Sequence, residues 1–406
     1  MIYLDNSATT ALSEAALAKI KEAAEKFGNP SSVHTAGIEA AILVKEGRNS
    51  VYDAFSLPAS RRVDGSLPMG AGARDAYRFI FTSCGSEADN MTVFGLLTAK
   101  KFRETPRIIT TDSEHPAMLE SIAAAERLGL CEALYLSTKG GVIDLAELDA
   151  ALTPNTILVS VMTVNNETGA IYDIGKIFAA VKKKVPTAVC HTDAVQGFLK
   201  TKTDFIRSSA DIVTVSGHKI GAPKGIGGML VSNALLISKR LSPLIYGGGQ
   251  EGGLRSGTEN VIGIAAMGAA CAYEKANLDK NIEKYRSLRE IFENRLNSLC
   301  ENSAVPISAR INRPEKYSDH IISLTVSGVR SETLVRALSG DGICISNGSA
   351  CSSHKTKKSG VLEAFGLSRD DADSTVRISL CGDSTESDMT AAADAIAAHA
   401  ATLIKK

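Results

Sequence analysis

The chain carries no excess charge of either sign: Lys plus Arg number 45 and Asp plus Glu number 45 among 406 residues, a formal net charge of zero. That balance removes the electrostatic case for nucleic acid or an anionic membrane as partner, and suits small, neutral or zwitterionic ligands. No leader is expected either. Met1-Ile2-Tyr3-Leu4-Asp5-Asn6 offers neither a basic nor an apolar segment, and the uncharged run Asn260 to Tyr273 falls short of the about 20 residues a membrane span needs. A cytoplasmic protein is expected. The eight cysteines (84, 131, 190, 271, 300, 344, 351 and 381) form no CxxC pair and no metal-ligand spacing, so neither a metal site nor a disulfide framework is expected.

What is present is a soluble composition, 44% hydrophobic and 22% charged, long enough for two domains or one large α/β domain with an appendage. Residues 1 to 12 read as an extended arm. Ser13 caps a helix whose apolar positions, Leu17, Ile20, Ala24 and Phe27, share one face, and a second helical pattern runs from about Thr35 to Phe55. Ser56 to Arg78, with Pro58, Pro68 and scattered glycines and arginines, lacks periodicity and is expected to be an exposed loop. Phe79-Ile80-Phe81 reads as a strand, and from about 106 to 232 short apolar runs alternate with helical segments, which is the pattern of a largely parallel sheet wrapped by helices. An Ala-rich helix near 260–275, a charged helix near 278–299 and strands at Ile321–Val326 and Val376–Leu380 suggest a smaller α+β domain.

In parallel sheets ligands bind beyond the strand carboxyl ends. Three runs end there in functional groups, Asn166, Asp193 and Lys219, spaced 27 and 26 residues apart, about one strand-helix unit each. Lys219 closes Ile212-Val213-Thr214-Val215-Ser216-Gly217-His218-Lys219, a buried strand opening into small polar residues. Desolvation would keep such an amine partly neutral, as a Schiff-base former requires. Gly85 and Ser86 begin a helix after a strand, a place suited to phosphate. An amine, an acid for a pyridine nitrogen and an anion cradle are together what pyridoxal phosphate requires. Gln196 could donate to the cofactor's phenolic oxygen, and His115, after another strand, could stack on the ring and move protons.

These residues carry a resemblance that covers nearly the whole chain. Tyr3-Leu4-Asp5-Asn6-Ser7-Ala8-Thr9-Thr10, Gly28-Asn29-Pro30-Ser31-Ser32, Glu114-His115, Val164-Asn165-Asn166-Glu167-Thr168-Gly169, Asp193-Ala194-Val195-Gln196, Ser216-Gly217-His218-Lys219 and Arg255-Ser256-Gly257-Thr258 resemble the class V aminotransferase-fold cysteine desulfurases of the iron–sulfur cluster type. The resemblance implies an α/β protein of the pyridoxal-phosphate transferase fold type I. Its large domain, 13–260, would hold a mostly parallel seven-stranded sheet, and a smaller α+β domain would comprise 1–12 and 261–406. It implies that Lys219 carries the cofactor, Asp193 pairs the ring nitrogen, Asn166 and Gln196 contact the ring oxygen, and His115 stacks. A phosphate cup of Gly85, Ser86, Ser216 and His218 would be completed by Thr258 from a second subunit, hence a homodimer. Cys351, in a Gly/Ser-rich loop beside His354, Lys355, Lys357 and Lys358, would take sulfur from L-cysteine as a persulfide and pass it to an acceptor protein. Arg377, alternating with Val376 and Ile378, would grip the substrate carboxylate, with Asn166 also facing substrate.

Two departures stand out. Cys84-Gly85-Ser86-Glu87 replaces the family's usual Gly-Ala-Thr-Glu, and the Ser56–Arg78 stretch is longer than the family pattern. Selenocysteine lyase, another class V aminotransferase, and a catalytically idle scaffold in a sulfur-transfer complex are the rival readings. An exposed Cys351 argues against simple transamination, and Lys219 together with Cys351 argues against an idle scaffold.

Overall fold

The computed structural model describes residues 1–63, 75–348 and 360–404. The chain enters through β1 (Ile2–Tyr3), α1 (Glu14–Ala24) and α2 (Thr35–Ala54). Then come β2 (Tyr77–Thr82), α3 (Gly85–Thr98), β3 (Arg107–Thr111), α4 (Pro116–Arg127), β4 (Glu132–Leu136), α5 (Leu145–Ala151), β5 (Thr156–Ser160), α6 (Ile174–Lys184), β6 (Val189–Asp193), β7 (Ile212–Ser216), β8 (Gly227–Ser232) and α7 (Asn233–Ile237). The remainder is α8 (Val261–Glu301), β9 (Ala309–Ile311), β10 (Ile321–Val326), α9 (Ser331–Gly340), β11 (Ile343–Cys344), β12 (Ser346–Asn347), α10 (Gly360–Phe365), α11 (Arg369–Asp373), β13 (Thr375–Ser379) and α12 (Glu386–Leu403).

The large sheet has the order β2-β8-β7-β6-β5-β3-β4, with β8 antiparallel to both its neighbours and every other pair parallel. The expected α/β class with a mostly parallel seven-stranded sheet is therefore what the chain adopts. β-branched runs such as Ile-Val-Thr-Val in β7 are buried along their whole length, because helices cover both faces. Alternation sorts the two faces. Phe79, Phe81, Val159, Val213 and Val215 join one core with α6, while Ile80, Leu158, Val189 and Ile212 join another with α3 and α4.

A second, antiparallel sheet, β12-β13-β10-β9, has its own core, and Leu4 packs there while β1 pairs with β11. One helix serves both cores. The two helices expected near 260–275 and 278–299 are the single 41-residue α8, whose Ile264 to Cys271 pack with the large sheet and whose Tyr285 to Leu296 pack with the small one. No Pro or Gly interrupts the junction, and the change of apolar face there reflects a change of partner, not a break.

Three other expectations need correction. Ser13 does cap α1, accepting from the Ala16 N–H, but the buried face is Ala16 and Ala23; Leu17 and Phe27 are exposed, and the helix ends before Phe27. β4 has no counterpart in the sequence reading, because this edge strand is mostly half-buried or exposed. The Ser56–Arg78 stretch is not an exposed loop where it is described: Leu57, Val63, Ala76 and Arg78 are buried, and β2 begins at Tyr77. Among the described residues no helix is long and apolar enough to cross a membrane.

Candidate active site

The parallel strands deliver their carboxyl ends to one edge of the large sheet. There Cys84 and Gly85 follow β2, His115 follows β3, Asn166 follows β5, Asp193 ends β6, Ser216 ends β7, and His218 and Lys219 follow it. All of them line one cavity of about 260 Å³, together with Ser7, Ser86, Gln196 and Arg377. Arg377 arrives from the small sheet: its neighbours Val376 and Ile378 sit in the second core, so alternation turns Arg377 the other way, and it is 2% exposed.

The N-terminal arm closes over the lysine. Lys219 Nζ donates to the carbonyls of Ser7 and Ala8, the latter at 2.7 Å, and Gln196 Nε2 donates to the Ser7 carbonyl at 2.9 Å. His218 Nδ1 lies 3.2 Å from Thr9 Oγ1. Burial lowers the His115 pKa to about 4, and the Lys219 charge adds to that effect, so its imidazole is neutral near pH 7. Burial raises Asp193 to about 6, opposed by the Val195 N–H it accepts at 2.8 Å and by Lys219. Glu114 is pushed up to about 8 by burial, although it accepts from Met162 N–H and Thr111.

Several buried polar atoms of this cavity have no hydrogen-bond partner among the described residues: Ser216 Oγ, Asn166 Oδ1, Gln196 Oε1 and Arg377 Nε. Unmet groups of this kind are costly unless a ligand satisfies them. The helix start is open as well. Cys84 precedes α3 without capping it by its side chain, and a Cβ on Gly85 would lie 3.1 Å from Val195 Cγ2, so glycine keeps this floor clear. Glu87, held low by Arg255 at 2.9 Å and by Ser83, braces the turn. Donors at a helix start, an acid and an amine across one cavity fit the shape and charge of pyridoxal phosphate.

Gly85, Ser86, His115, Asn166, Asp193, Gln196, Ser216, His218, Lys219 and Arg377 thus share one cavity. Thr258 does not; it is exposed and lines a separate cavity with Thr82, Ser83 and Arg255. Cys351 lies outside the described residues. Asp89, His191 and Asp5, to which the sequence pattern assigns no role, also belong to this region. Asp89 is 1% exposed on α3, His191 sits two residues before Asp193 on the same face, and Asp5 pairs with Arg377. The alternation along Val189-Cys190-His191-Thr192-Asp193 was the signal available for His191.

The class-V aminotransferase family model matches residues 69–391. A cysteine desulfurase of Trichormus azollae is 37% identical over 388 residues, covering 95% of this chain and 89% of its own. A putative cysteine desulfurase, IscS 1, of Bacillus subtilis is 35% identical over 100% of this chain and 99% of its own. Among solved structures, a NifS-like protein superimposes with a TM-score of 0.86 at 31% identity, covering 99% of this chain and 100% of that one.

Proposed function

The chain belongs to the class-V aminotransferase family and, by relatives that match it nearly end to end, is a cysteine desulfurase; from that premise we propose which residues do the work. Lys219 would hold pyridoxal phosphate, and Asp193 would serve its ring nitrogen. Asn166 and Gln196 would serve its ring oxygen, His115 would support the ring, and Gly85, Ser86, Ser216 and His218 would take the phosphate. The observation that carries this reading is the convergence of Lys219, Asp193 and the unmet Ser216, Asn166, Gln196 and Arg377 atoms on one cavity.

When bound, the cofactor supplies a sink for the electrons left at the substrate Cα. The chain's residues do the rest. Arg377 orients the L-cysteine carboxylate, and the Lys219 amine removes the α-proton and later returns one. A neutral His115 can accept or pass a proton near the substrate sulfur. The Cys351 thiolate attacks that sulfur: an S–S bond forms, the C–S bond breaks with its electrons left on carbon, and protonation gives L-alanine. Cys351 then carries a persulfide for an acceptor protein.

The reading includes a cytoplasmic homodimer in which Thr258 completes the partner's phosphate cup, supported by its exposure away from the Lys219 cavity. It also includes a division into a large domain, 13–260, and a small one from 1–12 and 261–406. Titration with pyridoxal phosphate tests the cofactor assignment: a visible absorption band is expected with the native chain and none with Lys219→Ala. A band of equal strength in that variant would refute it.

A further inference from the structure

Asp89 is a buried acid with no task in the steps above. Strand register explains what it faces. Ser160 pairs with His191 and Asp193 with Thr214, and period-two alternation turns Val189, His191 and Asp193 to the face covered by α3. On that face Ser160, His191, Thr214 and Asp193 form a polar file inside an otherwise apolar layer. Ser160 Oγ lies 2.8 Å from His191 Nδ1, and His191 Nε2 lies 2.9 Å from Thr214 Oγ1 and 3.6 Å from Asp89 Oδ1. At its cavity end, atoms of Asp89, Asp193 and His115 all fall within 4.8 Å of one another. Asp89 Oδ1 has no hydrogen-bond partner among the described residues.

Two ionised carboxylates this close in a dry site repel strongly, so one of them keeps a proton. The surroundings decide which. Asp193 accepts from Val195 N–H at 2.8 Å and feels the Lys219 charge. Asp89 has neither. It faces Asp193 on β6, Glu114 beyond β3 and Cys84 ahead of its own helix, all of which disfavour its ionisation, while the Thr214 hydroxyl on β7 opposes them. His191 and His115, the basic groups near it, are held neutral by burial.

We infer that Asp89 and Asp193 hold one proton between them, carried on Asp89, so that Asp193 presents a single negative charge to the cavity. Asp89 is then a positioning residue that fixes the charge and orientation of Asp193. That this charge serves a cofactor ring nitrogen rests on the proposed function; the proton's location does not. Burial raises the Asp89 pKa well above that of an ordinary aspartate, in line with the geometry.

Infrared spectra of the protein as purified, with pyridoxal phosphate added and its aspartates labelled with ¹³C, test this directly. At pH 7.5 one label-sensitive carboxylic-acid C=O band is expected, lost in Asp89→Asn and kept in Glu114→Gln. Absence of the band from the native protein, or its survival in Asp89→Asn, would overturn the inference. If Asp89→Asn does not fold, Asp89→Glu in the aspartate-labelled protein decides, since the label-sensitive band is lost there if the proton is carried at position 89 and its survival places the proton on Asp193. Cofactor binding is read separately from the visible spectrum, so failure of the proposed function and failure of this inference give different results.

Discussion

Arg377 Nη2 donates to the Asp5 carboxylate at 2.9 Å, tying β13 to the N-terminal arm that also covers Lys219. Nη1 donates to the Asn166 carbonyl at 2.9 Å, while Nε is buried without a partner among the described residues. The guanidinium is therefore fixed on two sides before substrate arrives. Replacing it by the point charge of lysine loses the planar fork. Arg377→Lys is expected to raise KM for L-cysteine about tenfold, the effect of losing one charge-assisted hydrogen bond, with a smaller change in kcat. An unchanged KM in steady-state kinetics would remove Arg377 from the substrate site.

Glu114 gives a pH dependence of known sign. Its folded pKa of about 8 exceeds the ordinary value of 4.5, so its stabilising contribution is full below pH 4.5 and is lost as pH rises to 8. Within that window it contributes a fall of up to about 1.4 kcal/mol per pH unit in the cofactor-free protein. Glu114→Gln should flatten the decline between pH 5 and 8, as read by urea unfolding at several pH values. A slope equal to the native one would mean that Glu114 is ionised in the fold.

Lys200 acts with the opposite chemistry. It is 6% exposed, its Nζ finds no hydrogen-bond partner among the described residues, and burial lowers its pKa to about 8. A base whose folded pKa is depressed contributes stability above its unfolded pKa of 10.5 and loses it as pH falls through 8. Lys200→Met should therefore stabilise the protein at pH 7 by about 1–3 kcal/mol, with the gain shrinking above pH 8. Destabilisation at pH 7 would show that the ammonium has a partner that the fold depends on.

Ser216 Oγ is buried at the end of β7 with no partner among the described residues. One lost hydrogen bond to a phosphate is worth about 1.5 kcal/mol, so Ser216→Ala should weaken pyridoxal phosphate binding about tenfold, as measured by fluorescence titration. Equal affinity would take Ser216 out of the phosphate cup.

Much of the site was legible because spacing reports topology. Asn166, Asp193 and Lys219 recur at one strand-helix interval, and residues at that interval in a parallel sheet emerge on the same edge. The parts that were not legible depend on contacts distant in sequence. Ala16 and Ala23 form the buried face of α1, yet alanine barely registers as hydrophobic, so Leu17 and Phe27 misled. α8 looked like two helices because its apolar stripe serves two cores. Asp89 looked like an ordinary residue of a helix's second turn, and only the register of β5, β6 and β7 reveals the polar file it meets. Asp5 lies 372 residues from its partner Arg377, a pairing no local pattern encodes.

The most direct test of the account is the release of L-alanine and sulfide from L-cysteine with dithiothreitol, in the native protein, Lys219→Ala and Cys351→Ala. Both products are expected to require both residues. Sulfide release that survives in Cys351→Ala but is abolished in Lys219→Ala would contradict the account, leaving a cofactor-dependent lyase in which Cys351 takes no part.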